Sequence, residues 1–166
     1  EMIHKAPGSV ERLVLYGTGA AGNLPGRFEP IETSKERARR NGPGQTARQI
    51  AATWFLHRED AAQFRTCAAI AERASLPAIL AGLDAMLGWN GEKQLSRIAN
   101  ECLILWGDGD RTYPWSQTEL LWRRISRSRL AVVPDCAHAV HMERPDIFNL
   151  LVDEFLGREG PSQYRG

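Results

Sequence analysis

The sequence predicts an α/β protein: parallel strands flanked by helices, with a group of helices inserted between two of the strands. Three observations lead there. Short, unalternating apolar runs occur at 13–16, 102–106 and 130–133, as in strands covered on both faces. Helical periodicity follows the second and third runs, and strand-then-helix alternation implies parallel pairing. Between the first and second runs, residues 31–97 carry helical patterns and no strand-like run.

Residues 1–10 read as the end of a helix and a loop, broken by Pro7-Gly8. Leu13-Val14-Leu15-Tyr16 is the first strand. Gly17 to Pro30, rich in glycine, is a loop. Thr33-Ser34-Lys35-Glu36 has the form of a capping box and should open a helix that Gly42-Pro43-Gly44 closes. The next helix places Ala47, Ile50, Ala51, Trp54 and Phe55 on one face. A third runs from about Asp60 to Arg73, with Phe64, Ala68 and Ala71 together. A fourth starts near Pro77, gathers Ile79, Leu80, Leu83, Met86 and Leu87, and ends at Gly88. Strand 102–106 follows. A second capping box, Ser116-Gln117-Thr118-Glu119, opens a helix with Leu121, Trp122 and Ile125 inward. Strand 130–133 leads to a last helix from about Pro145, with Phe148, Leu151, Val152 and Phe155 inward and Gly157 at its end. The expected organisation is a core at 1–24 and 98–157, a helical cap at 25–97 and a flexible tail at 158–166.

The 166 residues suit one domain with a sub-domain, at 43% hydrophobic and 25% charged content. The net charge of +1 gives no electrostatic case for nucleic acid or an anionic membrane as partner. The 21 basic residues are nearly all arginine, scattered among acids as on solvated helix faces. No apolar stretch approaches the ~20 residues that span a bilayer. Three widely spaced cysteines do not form a disulfide framework and suggest a reducing, cytoplasmic setting. Three parallel strands would leave an apolar edge exposed, and proteins normally pair or cover such an edge. Further strands are therefore expected before residue 1.

Two residues carry the chemistry. Asp110 follows the second strand through Gly107-Asp108-Gly109, and His138 follows the third through Pro134-Asp135-Cys136-Ala137. An acid and a histidine at the C-terminal ends of successive parallel strands are two-thirds of a hydrolytic triad. Asp108 competes for the acid's place; the position of Asp110 ahead of Arg111-Thr112-Tyr113-Pro114 favours the latter. No Gly-x-Ser-x-Gly occurs, and Ser9, Ser34, Ser75, Ser96, Ser116, Ser126, Ser128 and Ser162 all lack the strained elbow of a nucleophile.

Two other patterns carry less. Cys136-x-His138-x-x-His141 has no further ligand at zinc spacing, so no metal is expected. Gly17-Thr18-Gly19-Ala20-Ala21-Gly22 matches a dinucleotide fingerprint, but Asn23-Leu24-Pro25-Gly26 follows where a helix would have to start. No cofactor is expected. Trp54, Met86, Trp89 and Tyr113 either pack in the core or line an apolar substrate pocket beneath the cap.

These motifs resemble the α/β-hydrolases. Arg12-Leu13-Val14-Leu15-Tyr16-Gly17-Thr18 looks like the strand after their nucleophile helix. Leu103-Ile104-Leu105-Trp106-Gly107-Asp108-Gly109-Asp110 looks like their acid strand. Pro134-Asp135-Cys136-Ala137-His138 and Met142-Glu143-Arg144-Pro145 look like their histidine loop and last helix. The resemblance covers residues 1 to about 157 but only the C-terminal part of that fold. It implies Asp110 as triad acid, His138 as base, and a serine and oxyanion hole supplied by an N-terminal portion or a second chain. The acid loop is similar to that of C–C bond hydrolases, whose histidine is often followed by Trp where Ala139 stands here. The cap also suits enol-lactonases and small esterases. The implied substrate is an ester, lactone or C–C bond in a small carbonyl compound, with Trp54, Tyr113 and Ala139 as the residues nearest to it. The competing expectation is a non-catalytic hydrolase domain that binds a partner.

Overall fold

The computed structural model describes residues 2–24 and 29–157. The expected tail at 158–166 and the part of the glycine-rich loop at 25–28 lie outside the described residues. A short helix α1 (Met2–Lys5) and a 3₁₀ turn lead into β1 (Arg12–Tyr16). Helices α2 (Ile31–Asn41), α3 (Pro43–Ala52), α4 (Phe64–Ala71) and α5 (Leu76–Gly88) follow. Then come β2 (Glu101–Gly107), α6 (Trp115–Arg124), β3 (Ser128–Val133), α7 (Val140–Glu143) and α8 (Pro145–Leu156).

The three strands form one parallel sheet in the order β1-β2-β3. Val14 stands opposite Leu103, and Leu103 opposite Arg129. Strand alternation sorts the apolar side chains onto two faces. Leu13, Leu15, Cys102 and Ile104 pack with Leu121 and Ile125 toward α6. Val14, Tyr16, Leu103 and Leu105 pack with Val140, Phe148 and Phe155 toward α7 and α8. The central strand buries Cys102 to Leu105 and Gly107, whereas every residue of β1 is only half-buried. Among the described residues no strand pairs with the far side of β1. A cavity of about 990 Å³ opens beside it, lined by Ile3, Val10, Leu13, Leu15, Leu95 and Leu121 among others.

Helices α2 to α5 lie between β1 and β2 in sequence and hold a cluster of their own: Ala51, Ala52, Phe55, Phe64 and Ala68, joined by Ala139 from the far end of the chain. The chain leaves and re-enters the sheet at one point. Ala21 forms an antiparallel bridge with Asn90, Gly22 N–H donates to Trp89 O (3.0 Å) and Gly91 N–H donates to Ala20 O (2.7 Å). These bonds occupy the backbone of the Gly17-to-Gly22 run, which opens no helix.

Several boundaries differ from the expected ones for local reasons. Neither capping box caps. Helix α2 begins at Ile31 after Pro30, because Ile31 is buried and Ser34 turns its hydroxyl to Glu29 Oε1 (2.6 Å) from inside the helix. Helix α6 begins at Trp115 after Pro114, whose carbonyl accepts the Gln117 N–H (2.9 Å), and it buries Gln117 and Thr118. Its inner stripe is Thr118, Leu121 and Ile125; Trp122, expected inward, is 41% exposed because it stands about 100° around the helix from Leu121. Helix α3 stops at Ala52, where Thr53 Oγ1 bonds back to Ile50 O (2.7 Å), so Trp54 and Phe55 lie in the turns beyond it. A 3₁₀ turn at Arg58–Asp60 precedes α4, which starts at Phe64 rather than near Asp60. Of the expected apolar face of α5 only Leu83 is fully buried; Leu87 is exposed. The single turn α7 had no periodic signal, being too short to show one.

The central position of Ile104 yields a stability test. It is fully buried between β1 and β3, and truncation leaves a cavity that the flanking strands cannot close. Ile104→Ala is expected to lower the unfolding free energy by about 2–5 kcal/mol, read as a lowered urea midpoint with unchanged slope.

Candidate active site

The site is built where the loops after β2 and β3 cross. Gly107 ends β2, and a Cβ there would stand 2.2 Å from the Ala137 carbonyl oxygen, so only glycine lets the loop from β3 pass this close. The next amides hold that loop: Asp108 N–H donates to Val133 O (3.1 Å) and Gly109 N–H to Cys136 O (2.9 Å). Asp135, at φ 56°, makes the turn that brings Cys136 and Ala137 across. Cys136 and Ala137 are fully buried.

This crossing sets Asp110 beside His138. His138 Nδ1 donates to Asp110 Oδ2 at 2.9 Å. The other oxygen, Oδ1, accepts the N–H groups of Thr112 (2.7 Å) and Tyr113 (3.0 Å), which fixes the carboxylate's orientation from its own loop. The Asp110 side chain is fully shielded from solvent, while that of His138 keeps 23% of its surface exposed. Asp108, the competing acid, is exposed. With Nδ1 committed to Asp110, Nε2 is the ring nitrogen left to exchange a proton with a reacting group.

Aromatic rings surround the imidazole. Tyr113 stacks on it at 5.8 Å between centroids, Trp54 lies tilted at 5.9 Å and Tyr16 stacks at 6.4 Å. Two of the three expected substrate-side residues, Trp54 and Tyr113, thus stand next to His138. The third, Ala139, is 3% exposed and turns its methyl group into the cap cluster, while its N–H donates to Trp54 O (2.8 Å). The members of the Cys136-x-His138-x-x-His141 pattern go to separate partners: Cys136 Sγ to Val133 O, His138 to Asp110 and His141 Nδ1 to Tyr16.

Sequence reasoning did not single out Tyr16, Gly17 and Glu143 as site residues. Tyr16, the last residue of β1, donates its hydroxyl proton to the His138 carbonyl (2.5 Å). Its oxygen lies 2.9 Å from His141 Nδ1, which must then carry the proton in that second bond. Burial pushes the Tyr16 hydroxyl from 10.0 up to about 12. Burial, followed by the neighbouring His138, holds His141 below its usual value. Gly17 sits at φ +49°, and a Cβ there would come within 3.0 Å of the His138 ring at both Cε1 and Nδ1. A signal existed only for Gly17, in the strand-then-glycine step. Glu143 anchors two loops, accepting the N–H groups of Leu56 (2.8 Å) and Ala137 (2.7 Å).

Two expectations follow. Gly17→Ala combines a left-handed backbone with an intruding methyl group; it should destabilise the chain by about 1–2 kcal/mol or more and abolish the downfield proton resonance of His138 Nδ1–H. Retention of that resonance would show that the ring tolerates the methyl. Tyr16 is raised in the fold, so its contribution to stability is whole below pH 10 and falls away as pH rises toward 12. The thiols of Cys102 and Cys136, which burial pushes from 9.0 up to about 11, act in the same direction from a lower pH. Tyr16→Phe should therefore remove only the upper part of the alkaline loss, measured as Tm against pH.

No family model matches the chain. A 2-hydroxy-6-oxononadienedioate/2-hydroxy-6-oxononatrienedioate hydrolase of Escherichia coli (strain K12 / DH10B) is 38% identical over 65 residues, which are 39% of this chain and 23% of that protein. Solved structures align over most of the chain. The enol-lactonase from Burkholderia xenovorans LB400 superposes with a TM-score of 0.82 at 20% identity, covering 95% of this chain and 60% of that one. A thermophilic esterase from Thermogutta terrifontis gives 0.80 at 24%, covering 93% and 58%. A hydrolase from Pseudomonas aeruginosa PA01 gives 0.79 at 25%, covering 95% and 59%. The chain thus spans about three-fifths of the length of these structures. With its parallel sheet, its flanking helices and its helical insertion between β1 and β2, it has the fold of the α/β-hydrolases, of which it makes up the C-terminal part.

Proposed function

We propose that this chain supplies the acid, the histidine and the substrate-covering cap of a serine-type α/β-hydrolase. The observation that carries the reading is the 2.9 Å bond from His138 Nδ1 to the shielded carboxylate of Asp110, with the rings of Trp54 and Tyr113 packed against the imidazole. In this reading a portion preceding these residues, or a second chain, brings the serine and the oxyanion donors. The half-buried strand β1 and the cavity beside it are where that portion would pair and pack. The substrate is an ester, a lactone or a C–C bond in a small carbonyl compound. That range rests on the activities for which the E. coli relative and the superposed esterase and enol-lactonase are named. Trp54 and Tyr113 offer it an apolar, aromatic wall.

The chemistry follows from the tautomer. Asp110 holds the Nδ1 proton, so Nε2 has a lone pair aimed at the incoming serine hydroxyl. His138 takes that proton as the serine oxygen attacks the substrate carbonyl, and Asp110 stabilises the imidazolium that results. Nε2 returns the proton to the leaving group, and water releases the acyl-enzyme by the same relay. A cytoplasmic setting fits the three cysteines, none of them in a disulfide. Among the described residues no single helix is long and apolar enough to cross a membrane.

A second reading has its own support: the open side of β1 would serve a domain that binds a partner without turning over substrate. Native mass spectrometry of the purified protein, followed by assay of the assembled form on small aryl esters and lactones, separates the two. In the assembled hydrolase, Asp110→Asn and His138→Ala should each lower kcat by about 10⁴-fold with little change in KM. Near-full activity in both variants would overturn the catalytic assignment.

A further inference from the structure

Glu143 is the last residue of α7, five residues beyond His138, and its two carboxylate oxygens go to two different loops. Oε1 accepts the N–H of Leu56 (2.8 Å), in the cap segment that follows α3. Oε2 accepts the N–H of Ala137 (2.7 Å), the residue before His138. The same cap segment is held at two further points. Ala139 N–H donates to Trp54 O (2.8 Å), and Arg111 Nη1 reaches the carbonyls of Phe55 and Leu56 (3.4 Å each) from the loop that carries Asp110. Residues 54–56 are therefore pinned to the histidine loop and to the acid loop at once, and the Glu143 side chain hydrogen-bonds to both the cap segment and the histidine loop.

We infer that Glu143 is a positioning residue that sets the spacing between the Trp54 ring and the His138 imidazole, and with it how closely a substrate's carbonyl substituent can approach that histidine. The inference rests on the catalytic reading of His138 for its meaning, but its geometry stands apart from turnover. Only a carboxylate can do this work. It presents two acceptors and no donor, whereas glutamine of the same shape turns an NH₂ group toward one of the two N–H donors. Ala137 is fully buried, so its N–H has no water to fall back on. A residue that only filled space would be replaced by glutamine without effect.

The test uses the chain itself, labelled with ¹⁵N, and reads amide hydrogen exchange and ring-to-ring NOEs by NMR. In the wild type, the Leu56 and Ala137 amides should exchange with one shared protection factor, because one carboxylate closes both. Glu143→Gln should lower protection at both by about 10- to 100-fold, weaken the Trp54–His138 NOEs and leave the Ile104 amide of β2 unchanged. Wild-type protection and NOEs in Glu143→Gln would overturn the inference. If that variant does not fold, the wild-type exchange decides alone: a shared opening supports the link, and unequal protection factors refute it. Neither readout needs a nucleophile, so a failure here is separable from a failure of the hydrolase assignment.

Discussion

The bond between His138 and Asp110 joins residues 28 positions apart, and almost everything else in the C-terminal half of the chain serves the loop crossing that makes it. The crossing needs two strands in parallel register, so that their C-terminal ends lie side by side. It needs Gly107, because a methyl group there would meet the Ala137 carbonyl. It needs the turn at Asp135 to redirect the chain over that glycine. Once these conditions hold, Gly109 and Cys136 complete the crossing through a backbone bond, and the side chains of Asp110 and His138 have little freedom left. The carboxylate is fixed by two amides of its own loop and the imidazole by three aromatic neighbours. Such rigidity matters for proton transfer, where small displacements of the reacting groups cost large factors in rate.

Much of this was legible in the sequence, and the limits of legibility have physical causes. The three strands were readable because a strand covered on both faces needs an unbroken apolar run, and each of the three has one. Asp110 and His138 were readable because each follows such a run. Their contact was not readable from spacing alone, since it depends on a turn and a close approach that no periodicity encodes. The glycines of Gly107-Asp108-Gly109 carried the signal, but its meaning became clear only when the Ala137 carbonyl was seen above the first of them. The two capping boxes misled for a simple reason: a proline just upstream had already begun each helix, so Thr33 and Ser116 fell inside it. Trp122 misled because apolar character was taken for burial, while the polar Gln117 and Thr118 were the buried residues. Tyr16 and Glu143 stayed hidden because their partners are backbone atoms of distant loops, which leave no mark on residue type.

Electrostatically the site is economical. A single carboxylate faces the imidazole, and the neighbouring titratable groups are held neutral by burial: the Tyr16 hydroxyl and the Cys136 thiol are pushed up and His141 is pushed down. In the proposed hydrolase, the change of charge during proton transfer would then fall on His138 and the group it exchanges a proton with. Tyr16 adds order without adding charge, since its hydroxyl proton rests on the His138 carbonyl and its oxygen on His141.

The bridge between Ala21 and Asn90 gives the helical insertion coincident ends. A segment whose ends already meet can be lengthened, shortened or exchanged without moving the strands it leaves and rejoins, because the closure has been made by backbone bonds outside it. Evolution then has two independent tasks. The loops after β2 and β3 must stay as they are, while the insertion is free to drift wherever it does not touch Glu143, Arg111 or Ala139. The insertion can thus be exchanged as one contiguous stretch of sequence while the crossing of the loops after β2 and β3 is kept.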